Sequence, residues 1–326
     1  MSTTNHSLSQ KDPLSTRNLR RAIIVVGVLL ILLLIAFTGY YYWDRFAPRG
    51  APSPVEVAIT EAEQAVKDDP QNPELRQALT RLYFENRMYD QALEQAQQLL
   101  QVEPENQEAL LIAGMSNVRL EQPAAAIPPL LKVIDARKDS PTAKSDMMLE
   151  MVYYFVGESY NKTGQYQEAI PPLEAALVIM PTDADAQYQL GLAYQGLGQQ
   201  EEALTHFHEA VRFVPDFTEA YQSMVESYTA LHRPGYAEYA QGMLAFTEKD
   251  YRTAEAHLLK AVDALPEFVP ALLGLGLTYE KMDNLTAAQD ILQKAVDIDP
   301  HDLAARQALG RVQASLEARK TQEQAP

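Results

Sequence analysis

The chain contains no cysteine. It therefore has no disulfide, thiolate metal site, thiol nucleophile or lipid-bearing cysteine, and this absence suits an oxidising compartment. Tryptophan occurs once, and basic residues are few: 27 Lys and Arg stand against 44 Asp and Glu, a formal net charge of −17. The deficit is uneven. Six of the bases (Lys11, Arg17, Arg20, Arg21, Arg45, Arg49) but only two of the acids (Asp12, Asp44) lie in residues 1–54. The body beyond is strongly acidic, which argues against nucleic acid as a partner, because that binding rests on Lys and Arg neutralising phosphates. Beyond the first 35 positions β-branched residues are sparse, while Ala, Leu, Gln and Glu abound. That balance predicts an all-α chain.

Long apolar runs are also absent, with one exception. No charge occurs from Ala22 to Trp43, in AIIVVGVLLILLLIAFTGYYYW. As a helix this run is about 33 Å long, enough to cross a hydrocarbon core of about 30 Å. Tyr40, Tyr41, Tyr42 and Trp43 form an aromatic belt at one end. A cleavable signal peptide has a shorter apolar core and small residues at its cleavage site. The bulky aromatics here predict instead an uncleaved transmembrane helix over residues 22–43. Four bases precede it and two follow soon after, so the positive-inside rule puts residues 1–21, polar and expected to be disordered, in the cytoplasm. The rest of the chain is then extracytoplasmic. Residues 44–54, with Pro48, Pro52 and Pro54, read as a stiff spacer.

Recognisable chemistry is missing too. There is no Gly-rich phosphate loop, no H-E-x-x-H and no G-x-S-x-G. His206 and His208 lie two apart on a predicted helix and face different ways, a poor metal pair. Asn5, Asn161 and Asn284 begin N-x-S/T triplets, which matter only in a host that glycosylates. We expect no catalytic residue, no cofactor, no metal and no small-molecule substrate.

What the chain has in abundance is a repeat. Val156-Gly157, Tyr160, Gly164, Tyr166, Ala169, Leu173, Ala176 and Pro181 return as Leu190-Gly191, Tyr194, Gly198, Ala203, Phe207, Ala210 and Pro215, with the two prolines 34 residues apart. Small residues at these offsets let helix axes approach to about 8–10 Å. Gly164 and Gly198 fall in turns, where positive φ costs glycine little. The closing proline stops a helix. This pattern resembles the tetratricopeptide repeat (TPR), two antiparallel helices per unit stacked into a right-handed α-solenoid.

In phase with it are Leu79, Tyr83, Ala92, Ala96 and Pro104; Ala113-Gly114, Ala126 and Leu130; and Leu275-Gly276, Tyr279, Ala288, Leu292 and Pro300. Pro104 to Pro181 exceeds two periods by nine residues, placed near Pro141–Leu149. Pro215 to Pro266 is 51 residues, one and a half periods. Thr218–Leu231 and Tyr236–Glu248 both read as first helices, and two in succession cannot keep the alternation. Either one takes a second-helix slot or the superhelix breaks. We expect two arrays, 55–231 (a half-repeat and about four and a half units) and 235–320 (two units and a capping helix), with a hinge near Leu231–Tyr236 and a tail at 321–326. Pro128-Pro129 and Pro171-Pro172 recur early in second helices and are expected to bend or delay them.

The resemblance implies a non-catalytic module whose concave face, lined by first helices, binds a protein or peptide. Its groove offsets hold Tyr154, Glu158 and Asn161, then Asp185, Tyr188 and Gln195, then Glu219, Gln222 and Glu226. These do not reproduce the family's Lys/Arg/Asn clamp for a terminal carboxylate. Tyr239, Met243 and Phe246 are expected to extend the face inward. Such a face favours an apolar or basic segment. The architecture resembles membrane-anchored TPR scaffolds of the cell envelope that assist secretion or assembly. An organelle-type import receptor with cytosolic repeats, or an enzyme accessory subunit, are the alternatives.

Overall fold

The computed structural model describes residues 16–46 and 52–323. The expectations for residues 1–15, for 47–51 of the spacer and for 324–326 lie outside the described residues. Among those described there are sixteen α-helices, one short 3-10 turn and no strand. The chain divides into two compact units, residues 1–61 and 62–326.

The first unit holds α1 (Thr16–Phe46) and the start of α2 (Pro54–Asp68). α1 begins six residues before the expected span and ends three after it, for no Pro or Gly interrupts Thr16–Ala22 or Trp43–Phe46. Asp44, Arg45 and Phe46, expected in the spacer, are therefore helical. The stretch Val25–Tyr42 is long and apolar enough to cross a membrane, and none of it is buried within the protein. Its hydroxyl at Thr38 donates to the Leu34 carbonyl at 2.5 Å, so the helix satisfies its own polar side chain.

In the second unit, helices pair in sequence. The pairs are α3 (Pro73–Glu85) with α4 (Tyr89–Val102), α5 (Gln107–Arg119) with α6 (Pro123–Arg137), α7 (Met147–Lys162) with α8 (Tyr166–Ile179), and α9 (Ala184–Gly196) with α10 (Gln200–Phe213). Then come α11 (Thr218–Ala230), α12 (Pro234–Thr247), α13 (Tyr251–Ala264), α14 (Val269–Lys281), α15 (Leu285–Ile298) and α16 (Leu303–Glu323). Each helix packs on its neighbours in sequence, and α3, α7 and α9 also touch the next first helix, as do α12 and α14.

A side-chain cap sets the start of α3, α5, α9 and α16. Asn72, Asn106, Asp183 and Asp302 lie two residues after Pro70, Pro104, Pro181 and Pro300, and their side chains accept from free backbone N–H groups of the following helix. The nine extra residues form the turn carrying the 3-10 segment Ala143–Ser145. Arg137 closes that turn on Asp146 at 2.7 Å, and Asp146 caps α7. Pro128-Pro129 and Pro171-Pro172 lie inside α6 and α8 without delaying their starts at Pro123 and Tyr166.

One contact recurs through the stack. A Cβ added to Gly114, Gly157, Gly191, Gly242 or Gly276 would fall 2.4–2.5 Å from a side-chain carbon of Leu130, Leu173, Phe207, Leu258 or Leu292. In every case the large residue lies sixteen positions on and is fully buried. The glycine is thus the recess into which the second helix plugs its largest side chain. In α3 Thr80 stands at the glycine position, and Ala96 stands sixteen further on; a larger residue on one side is matched by a smaller one on the other. Among the described residues no helix follows α16, and nothing lies within 4 Å of a Cβ built at its Gly310.

The same substitution should therefore act with opposite signs at two sites. Gly191→Ala gains up to about 1 kcal/mol in helix propensity but overpacks Phe207, at a cost of about 1–3 kcal/mol. We expect a net loss of about 1 kcal/mol, and a positive coupling with Phe207→Leu. Gly310→Ala has only the gain. Thermal melts of the two variants check this, and shifts of the same sign would refute the plug.

The half-unit is resolved by its turns. The turns inside helix pairs hold one residue at positive φ: Arg87, Glu121, Gly164, Gly198, Lys249 and Asp283. The next residue's N–H reaches back to the carbonyl five positions earlier, as from Gln165 to Tyr160 at 2.9 Å, closing the αL cap of a Schellman motif. The α11–α12 turn has the same form, with His232 at φ 55 and Arg233 N–H on the Tyr228 carbonyl at 2.9 Å. α12 is thus the second helix of α11 and, through Gly242 and Leu258, the first helix of α13. The largest core runs through this region from Ala203 to Leu275, taking in Leu231 and Tyr236. The boundary expected at 231–235 coincides with no gap in the packing.

α16 buries Ala305, Ala308, Leu309 and Val312 and exposes its other face, as a cap requires. It continues three residues into the expected tail, to Glu323.

Candidate partner-binding face

First helices α7, α9 and α11 carry Tyr154, Glu158 and Asn161; Asp185 and Tyr188; and Glu219, Gln222 and Glu226. Asp185, Glu219, Gln222 and Glu226 are exposed, and Tyr154, Glu158, Asn161 and Tyr188 are half-buried. Tyr154 meets Phe155 edge-on at 5.1 Å. Tyr188 leans on Phe207 and Phe217 at 5.8 and 5.0 Å, so its ring is held from behind by the core.

The carboxylates of three successive units share one field. Burial raises the Asp185 pKa, and the carboxylates of Asp183, Glu158 and Glu219 raise it further. The Tyr154 hydroxyl is pushed up by burial, then by Glu158, Asp185 and Asp183. The Tyr188 hydroxyl is pushed up by burial, with Glu219 and Glu226 adding to it and a hydrogen bond to Ser223 opposing. Like charges placed within reach of one another cost energy in the free protein, and an incoming cation relieves that cost. Glu158 is already partly compensated by Lys162 at 2.9 Å.

Polar side chains tie these helices together. Asn161 donates from Nδ2 to the Gln189 carbonyl at 2.8 Å, and Gln195 donates from Nε2 to the Ser223 carbonyl and the Ser227 hydroxyl at 3.1 Å. The family resemblance implied Asn161 and Gln195 for this face. It missed Gln189, whose part is a backbone carbonyl and an amide oxygen that no residue pattern reports.

Two expected members do not belong to the face. Tyr239 and Met243 are only 5% and 7% exposed. α12 fills a second-helix slot, so both its sides are covered. Tyr239 packs on Phe268 at 5.1 Å and faces Tyr221, and the Met243 sulfur lies against Gly274. Phe246, half-buried, meets Tyr251 edge-on at 5.6 Å.

Among the described residues no group of three or more His, Asp or Glu is placed to hold a metal ion. His206 stacks on Tyr194 and bonds Gln187 at 2.9 Å, and His208 bonds the Tyr228 hydroxyl at 2.7 Å. Both are packing residues, with pKa values lowered by burial.

Tetratricopeptide-repeat family patterns match residues 56–114 and 245–316, and again 184–217, and a TPR repeat pattern matches 157–198. Together these stretches cover more than half of the chain. The chain is a tetratricopeptide-repeat protein. No curated protein matches it. Among solved structures it is similar to a MamA protein (23% identity, TM-score 0.48, covering 55% of this chain and 93% of that one). It is also similar to MamA from Desulfovibrio magneticus RS-1 (25%, 0.41, 59% and 93%). A third likeness is to a TPR protein from Parabacteroides merdae ATCC 43184 (13%, 0.45, 85% and 96%).

Proposed function

We propose that this TPR protein is a single-pass membrane scaffold that holds a partner protein during assembly or secretion of envelope proteins. Its amino terminus lies in the cytoplasm and its repeats lie outside. The observation that carries the partner reading is the shared negative field of Glu158, Asp185 and Glu219 across three successive first helices, beside the half-buried rings of Tyr154 and Tyr188. Aromatic rings supply contact area at low entropic cost, and the carboxylates select an apolar or basic segment over an acidic one. The membrane reading rests on the length of Val25–Tyr42 and on the charge bias of its flanks.

The cysteine-free chain makes the test clean. Gln222→Cys should label from outside intact cells with a membrane-impermeant maleimide, and Ser7→Cys should not; the reverse pattern would place the repeats in the cytosol. With a photo-crosslinker attached to the thiol of the Gln222→Cys variant, one dominant partner adduct is expected. It should fall at least tenfold in Glu158→Lys/Glu226→Lys and lose its salt dependence. An adduct indifferent to both reversals would put the partner elsewhere.

A further inference from the structure

Beside the acidic face lies a cleft of about 580 Å³, lined among others by Asn161, Tyr166, Leu192, Gln200 and Glu226 from α7 to α11. Two of its lining residues, Asn161 and Gln200, each carry an enclosed side-chain oxygen without a partner, Oδ1 and Oε1. Leaving such an atom unsatisfied carries a desolvation penalty that a donor from a ligand would remove. Five side chains among the described residues carry one, and two of the five line this cleft. Turning the Asn161 amide over would not help, since its nitrogen is committed to the Gln189 carbonyl at 2.8 Å and to Gln189 Oε1 at 3.0 Å. An oxygen in that place would face two others.

The remaining wall narrows the ligand. Glu226 contributes a carboxylate. The cation among the lining residues, Lys162, is engaged by Glu158 at 2.9 Å. Leu192 and Tyr166 offer apolar surface, and the Tyr166 ring lies flat against Gly196, where a Cβ would come within 2.6 Å. The matching group brings several N–H donors, a positive charge and an apolar stem. A guanidinium does so with five donors in a rigid plane and weak hydration, whereas an ammonium is compact and strongly hydrated. We propose that this cleft is the subsite for an arginine side chain of the bound segment. The proposal rests on the basic-segment reading above, and it adds which residue the segment must contain and where that residue sits.

The test uses the full chain in detergent micelles and three blocked Gly-X-Gly peptides, with arginine, lysine or citrulline at X, titrated by calorimetry or NMR. Citrulline keeps the shape and loses the charge. The arginine peptide should bind about tenfold tighter than the citrulline peptide and several-fold tighter than the lysine peptide, in line with the strength of charge-assisted hydrogen bonds. Gln200→Met, which deletes one unpartnered acceptor, should weaken it about tenfold. Gln200→Glu, which adds charge at the same atom, should tighten it by a similar factor. These opposite signs cannot both arise from damage to the fold. Equal binding of arginine and citrulline, or an arginine affinity that neither Gln200 variant moves, overturns the proposal. If the Gln200 variants do nothing while Glu158→Lys/Glu226→Lys still abolishes the partner adduct, the subsite fails and the acidic face stands. If the charge reversals also do nothing, the acidic-face reading itself has failed.

Discussion

Removal of residues 1–53 is expected to shift the protein completely from the carbonate-washed membrane fraction to the soluble fraction, with only the helical signal of α1 lost. Val25–Phe37 holds eleven Val, Leu, Ile and Phe residues. At about −0.3 to −0.6 kcal/mol each on an insertion scale, they favour the bilayer by roughly 3–7 kcal/mol. No other described helix is long and apolar enough to span. In the body, the most exposed large apolar residues, Val102, Met147, Val178 and Leu303, sit on different helices, which is ordinary for a surface. Among the described residues the buried apolar core begins at Ile59, so the truncation takes nothing from it. A truncated chain that still sediments with membranes after high-salt and carbonate washes would sink the single-anchor reading. Amino-terminal sequencing of the full-length protein separates the rival case. A mature end near residue 43 would mean a signal sequence.

Much of the fold was legible because glycine marks most of the close approaches. Gly157 and Gly191 announce their recesses, and Leu173 and Phe207 sixteen residues later are what fills them. The same letters mislead where context differs: Gly310 carries the motif, and nothing among the described residues lies within 4 Å of a Cβ built there. At the half-unit, Gly242 correctly marked α12 as a first helix for α13. That α12 is also the second helix of α11 is written in the turn at His232, a residue whose left-handed backbone no pattern of side chains foretells. This double role is why Tyr239 and Met243 went to the core rather than to the face. The exposed carboxylates of Asp185 and Glu219, in contrast, were readable as solvated positions one period of 34 residues apart. The unpartnered oxygens of Asn161 and Gln200 were not, for satisfaction depends on how neighbouring units rotate against each other.

The second large effect concerns pH. Glu150, in the first turn of α7, is 6% exposed, and its Oε1 has no partner. Burial first, then the hydrogen bond and charge of Asp183, push its carboxyl up to about 7 from an ordinary 4.5. The helix dipole favours the ionised form in a first turn, by about 0.3–1 kcal/mol, and is outweighed. Asp183 is fixed in place as the cap of α9, its Oδ1 accepting the N–H groups of Asp185 and Ala186 at 2.9 and 3.1 Å. So Glu150 holds a proton in the folded protein that the unfolded chain releases near 4.5. Between those two values the folded state binds the extra proton, and stability falls as pH rises from about 4.5 to about 7, levelling off above. The full span is of order 3 kcal/mol at 1.36 kcal/mol per unit. Glu150→Gln keeps a neutral side chain of the same size and should remove this slope. At pH 8 the variant should melt several degrees above the parent, and at pH 4 the two should coincide. Because 44 acids titrate in the background, the measured quantity is the difference between the two melting curves across pH. A difference that stays constant from pH 4 to pH 8 would show that Glu150 ionises in the folded state as freely as in the unfolded one.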